Sequence, residues 1–444
     1  MSWLLALILL MTMLPTAALA AEAPGTSSGT VIYVSESGND SATGEESAPI
    51  QTIGAAFTKA ADGDTICLLS DIQLVGKLVL TGNKSVTLAG KADGTAKKII
   101  YTKDTSTTSN DLYMIEVGVE YGEATATKLT LENVTVDAEA QDIRCIRVCP
   151  ESQLTLENGA TVCNGRAVHR DGSTGTSDWG GGIVVDSTAK LIMNDGSAVT
   201  GCSAEQGGGI YLSGEMELNG GTLSGNTAVG DTYYGSTRSA HGGAILIRAN
   251  RADYAESYDV PAKLTMTGGN IQNNKAASDL SAFGGAVAIL GTPKATVDLT
   301  NEFVMTGGTI SGNTAGCGGA ISAYAADRDW NGNASIKISG NAVITQNLGR
   351  NGGGAIALWT NKADNYTSTV EMSGGTISEN ETFTKGGGVF LYGKGDSFYM
   401  TDGKISDNEA KQGGGIYISD TDAAAYLLGG TIQDNKATEG YPLR

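Results

Sequence analysis

Asp186, His241 and Arg248 are a carboxylate, an imidazole and a guanidinium, the set that could move a proton beside an acidic substrate. They also read as a solvated surface with a turn histidine. Tyr324, Trp359 and Tyr392 offer a different chemistry, because a row of outward rings can take the C–H face of a sugar. The other reading of these rings is that they anchor inserted loops. Asp327, Asp329, Asn331 and Asn333 carry the D-x-D-x-N-G-N spacing that wraps oxygen ligands around calcium, although Ile338 stands where such loops end on glutamate. An ordinary Asx turn explains the same residues. No other metal spacing is found: Cys145 and Cys149 have no histidine nearby to complete a zinc site, and the six cysteines read as core thiols with room for one disulfide.

A repeat must position these groups. The phrase GGGIVV at 180 returns as GGGIYL at 207, GGAILI at 242, GGAVAI at 284, GGAISA at 318, GGGAIAL at 352, GGGVFL at 386 and GGGIYI at 413. Between equivalent apolar residues from Ile183 to Ile416 the spacings are 27, 35, 42, 34, 35, 33 and 27, so the unit is 27 residues and the excess is inserted loop. Each unit alternates apolar and polar residues with period two and breaks at Gly or Asn, which predicts short strands stacked coil on coil. The fold class is therefore all-β, a right-handed parallel β-helix of about ten coils.

The register assigns the sides. Ile210/Leu212, Ile245/Ile247, Ile356/Leu358 and Val389/Leu391 face inward, as do Leu191/Met193, Leu264/Met266, Val370/Met372 and Phe398/Met400. The residue three beyond each repeat isoleucine faces out, in the order Asp186, Ser213, Arg248, Leu290, Tyr324, Trp359, Tyr392, Ser419. One position per coil reads Asn226, Asn274, Asn313, Asn347, Asn380, Asn408 and Asn435, with Cys202 one coil earlier. Stacked ~4.8 Å apart, such amides can bond to one another and to the turn backbone. Their expected role is structural.

The ends differ from the middle. Residues 1–20 have an apolar core from Leu4 to Leu14 followed by Ala18-Leu19-Ala20, the pattern of an export signal peptide. Residues 21–30 read as a linker, 31–75 as an amino-terminal strand and helix cap, 76–437 as the β-helix and 438–444 as a truncated tail. The helix is expected over Ile50 to Ala61, plugging the first coil. No later run approaches the ~20 apolar residues needed to span a bilayer. A net charge of −19 repels phosphate backbones, so nucleic acid is excluded as a partner.

The entry phrase YVSESGND…APIQTIGAAFTKAADGDTI and the asparagine ladder resemble the pectin-lyase-like right-handed β-helix superfamily over about residues 31–437. The GGAI and SGNTA phrases also resemble repeats of polymorphic outer-membrane adhesins, with Ile310-x-x-Asn313 in place of their Phe-x-x-Asn. The superfamily's polygalacturonases use Asn-Thr-Asp, Asp-Asp, Gly-His-Gly and Arg-Ile-Lys, none of which occurs here. The resemblance thus implies the fold and leaves activity open. The leading expectation is a secreted or cell-surface scaffold, adhesin-like or glycan-binding, whose partner is a polysaccharide, a surface glycan or a protein. The alternatives are a carbohydrate-active enzyme, a lyase or hydrolase, and a structural spacer.

Overall fold

The computed structural model describes residues 29–91, 95–103, 112–119, 124–167, 179–230, 232–233, 236–237, 239–249, 260–278, 281–293, 299–325, 330–360 and 366–439. Among them the chain is a parallel β-helix. One sheet of eleven parallel strands runs from Leu78–Leu80 through Ile183–Val185 and Ile321–Ala325 to Ile416–Ile418, one strand per coil, and begins each repeat. A longer, 24-stranded sheet takes two strands from most coils, and a seven-stranded sheet holds the short strands after the asparagine turn. No helix among the described residues is long and apolar enough to cross a membrane.

The register is the one the apolar pattern dictates. Ile183, Ile210 and Ile245 are parallel partners on successive coils, as are Val185, Leu212 and Ile247. The second inward set, including Leu191, Leu264, Val370 and Phe398, is equally buried. These columns form one continuous core. At about 25 cal/mol per Å² of apolar surface removed from water, such columns dominate what holds the coils together.

The ladder is the polar counterpart. From Asn274 onward each ladder Oδ1 accepts two N–H groups from the preceding coil, one backbone and one amide: Asn226 N and Nδ2 both donate to Asn274 Oδ1, at 2.9 and 3.0 Å. The pattern continues to Asn408, which donates both groups to Asn435. Each Nδ2 also serves a backbone carbonyl of its neighbour, as Asn313 does for Ile271 at 2.9 Å. The turn that presents these residues needs a left-handed residue just before them. Gly225 and Gly312 supply it at φ 64° and 65°, and Glu379 accepts it at φ 56° despite its Cβ.

At the amino end, strand Val31–Val34 pairs with Thr65–Leu68 and that strand with Ser85–Gly90, all three within the long sheet. The helix spans Ile53–Lys59, shorter than expected. Ile50 is instead bridged to Val34, and Thr52 caps the helix by accepting the Ala55 N–H, while Asp40 accepts the Thr52 N–H at 2.7 Å. Ile53, Ala56 and Phe57 are buried and join the main core. Residues 1–20 and most of 21–30 lie outside the described residues.

Candidate functional site

The outer side of the eleven-stranded sheet is covered rather than bare. Its central outward column contains Glu116, Arg147, Val184, Tyr211, Leu246, Ala288, Ser322, Ala357 and Phe390 on successive coils, and every one is buried. Two apolar clusters outside the coil account for it, one around Tyr211 and one around Phe390.

Tyr324, Trp359 and Tyr392 do fall on successive rungs, since Tyr324 is the partner of Trp359 and Leu358 that of Leu391. Each, however, has one face stacked on another ring. Trp359 stacks on Tyr392 with centroids 3.9 Å apart and planes 7° apart, and Tyr324 stacks on Phe283 at 3.9 Å. Trp359 also meets Phe283 and Phe390 edge-on, at 6.1 and 5.8 Å. All three expected rings are half-buried. A glycan platform presents ring faces, whereas rings stacked along the solenoid axis present edges. Phe390 reaches this cluster because Gly352 makes room for it: a Cβ there would lie 2.6 Å from its ring.

Of the trio Asp186, His241 and Arg248, the carboxylate is engaged by a neighbouring arginine and the imidazole is closed off. Asp186 accepts the Arg147 Nε–H at 2.8 Å, with side chains 13% and 6% exposed. His241 lies beside the stacked Phe283 and Tyr324 rings, at 5.6 and 5.4 Å, with neither ring nitrogen hydrogen-bonded. Burial, helped by the nearby Arg248 charge, pushes its pKa down to about 3. At neutral pH it is a closed, uncharged ring. Arg248 follows Asp186 by two rungs, and Ser213 between them donates to the Arg248 carbonyl at 3.0 Å.

Asp327 and Asp329 lie outside the described residues. Asn331 and Asn333 stand in an extended strand, Trp330–Ile338, rather than in a loop that wraps around a point. Asn333 Oδ1 accepts the Thr367 hydroxyl at 2.6 Å. Among the described residues no group of three or more His, Cys, Asp or Glu side chains could hold a metal ion.

Compared with protein-family models, with curated proteins and with solved structures, the chain has no match.

The outer face of the long sheet carries an open groove of about 400 Å³ lined by Val304, Lys337, Ser339, Glu371, Ser373, Tyr399 and Thr401, with Ile338 and Met372 below. Val304, Lys337, Glu371, Tyr399 and Tyr426 are one outward column on five successive coils. Tyr399 is 37% exposed and stacks one face on Tyr426, at 4.6 Å and 8°. Its other neighbour is Glu371, not a ring, so that second face fronts the groove. Lys337 is held by Glu302 at 2.6 Å, and Lys263 reaches the same carboxylate at 3.0 Å. These lysines hold Glu302 below the usual carboxylate range by their hydrogen bonds and charges, outweighing its burial. The groove thus offers one aromatic face, a carboxylate, an ammonium and three hydroxyls. Sequence reasoning missed it, although the signal was present: with Phe398 and Met400 inward, Tyr399 had to point out.

Proposed function

We propose that this chain is a β-helix scaffold that acts outside the cytoplasm and binds a glycan in the groove beside Tyr399. The observation that carries this reading is the free Tyr399 face bordered by Glu371, Lys337 and the hydroxyls of Ser339, Ser373 and Thr401. A pyranose needs that combination: its C–H face packs on a ring while its hydroxyls find charged and neutral partners. The export pattern of residues 1–20 and the resemblance to pectin-lyase-like β-helices and surface adhesins support the location. Tyr324, Trp359 and Tyr392 take second place as a sugar site, because their stacking fits the anchoring of the outer layer better.

The test is a glycan array on the chain lacking residues 1–20, with and without calcium, repeated on Tyr399→Ala and Trp359→Ala. Binding lost in Tyr399→Ala and kept in Trp359→Ala supports the groove. The reverse moves the site to the eleven-stranded sheet, and silence of the wild type across the array removes glycan binding. Release of ultraviolet-absorbing unsaturated products from an acidic polysaccharide would place the chain among the lyases instead.

A further inference from the structure

The ladder begins on sulfur. In later coils with glycine just before the strand, the ladder amide lies against that glycine. A Cβ on Gly209 would stand 3.1 Å from Asn226 Cγ, and one on Gly415 3.2 Å from Asn435 Nδ2. That position, just before the first core residue of the strand, is Gly or Ala from Gly182 onward. In the coil below Gly182 it is Cys145, since Ile146 pairs with Ile183.

The exchange is reciprocal. Cys163 pairs with Thr200, so the ladder position opposite Cys202 is Gly165, which has no side chain. A Cβ there would lie 2.8 Å from Cys145 Sγ: the Cys145 thiol fills the space that an asparagine fills elsewhere. One rung up, Cys202 Sγ lies 3.0 Å from where a Cβ of Gly182 would be. The two thiols therefore occupy successive rungs of a single column, about 4.8 Å apart. They are 0% and 1% exposed.

We propose that Cys145 and Cys202 form a cross-coil disulfide when the chain folds in the presence of a disulfide oxidant. The Cys145 thiol loses its proton and attacks the oxidant's S–S bond, releasing one thiol. The Cys202 thiol, deprotonated in turn, attacks the resulting mixed disulfide and releases the second. Two protons and two electrons pass from the protein to the oxidant, which leaves as two thiols. Timing follows from burial, because the Cys145 thiol in the finished coil is held well above the ordinary thiol range and is closed to reagents. The bond must form before the coils close. Cys163 is a poorer partner: it lies at the position of Thr200, outside the column that Cys145 and Cys202 share, and Asn164 Nδ2 donates to its sulfur at 3.6 Å.

The test is independent of the proposed function. Reduced, denatured protein is refolded in mixtures of oxidised and reduced glutathione, alkylated, digested with trypsin and read by mass spectrometry. The expected product links the Cys145 and Cys202 peptides and melts several degrees above the alkylated, reduced protein. Cys163→Ala should retain the link, and Cys202→Ser should leave Cys145 open to alkylation after denaturation. A Cys145–Cys163 link, or full recovery of the β signal with all six thiols alkylatable under oxidising conditions, overturns the proposal. The wild-type peptide map decides even where a variant fails to fold.

Discussion

Asn347 donates its amide N–H to Oδ1 of Asn380 at 2.9 Å and its backbone N–H to the same oxygen at 3.0 Å. It also donates to the carbonyls of Ile310 and Thr345 and accepts both N–H groups of Asn313. Asn347→Ala strands these partners in a dry interior, where each orphaned group costs about 1–3 kcal/mol. The expected loss is at least about 3 kcal/mol. Asn435→Ala, at a half-buried rung, should cost under about 1 kcal/mol. Urea melts of the two variants give the comparison, and equal midpoints would show that the ladder carries no stability.

His241 gives the fold an acid weakness. Its ring stays neutral in the fold down to about pH 3, while in the unfolded chain it takes a proton near pH 6.5. Stability from this group is complete above pH 6.5 and is lost as pH falls toward 3, by as much as about 5 kcal/mol. His241→Phe keeps the stack on Phe283 and should hold its melting temperature between pH 6.5 and 4, where the wild type declines. Parallel thermal melts at several pH values check this.

Asp396 works in the opposite direction. Burial raises its pKa to about 6, although Thr360 Oγ1 and the Gly393 N–H donate to it at 2.5 and 2.8 Å. The folded chain thus holds a proton that the unfolded chain releases near 3.8. Its contribution is full below pH 3.8 and disappears as pH rises through 6. Carbon-13 NMR should show one aspartate titrating near pH 6, absent in Asp396→Asn.

The two aromatic regions should respond differently to truncation. Trp359→Ala empties a space between Tyr392, Phe283 and Phe390, so it should destabilise by about 3 kcal/mol. Tyr399→Ala removes an exposed ring on the sheet surface and should change the midpoint by less than about 1 kcal/mol. Urea melts separate the two cases before any ligand is added.

The coil and its register were legible in the sequence because period two leaves no freedom: once Ile210 and Leu212 face in, Tyr211 faces out. The ladder was legible for the same reason, one Asn per coil at a fixed offset from the Gly-Gly pair. What the pattern could not show is how separate outward columns meet. Trp359 reads as a free platform until Phe283 and Phe390 lean over it from two other columns, the second through the gap at Gly352. Asp186 reads as a free carboxylate until Arg147, 39 residues earlier, reaches it. Pairing across coils depends on side-chain length and rotamer, and insertions of varying size hide which residues are neighbours.

The ladder also has a mechanical meaning. Its amides donate forward to the next coil's Asn oxygen and back to the previous coil's carbonyl, and both they and the strand hydrogen bonds lie along the solenoid axis. A pull on the two ends of this axis loads the rungs in series, so coils peel away singly while the rest keep their shape. The molecule then lengthens by one coil at a time under a nearly steady force, and behaves as a shock absorber along its length while staying stiff across it.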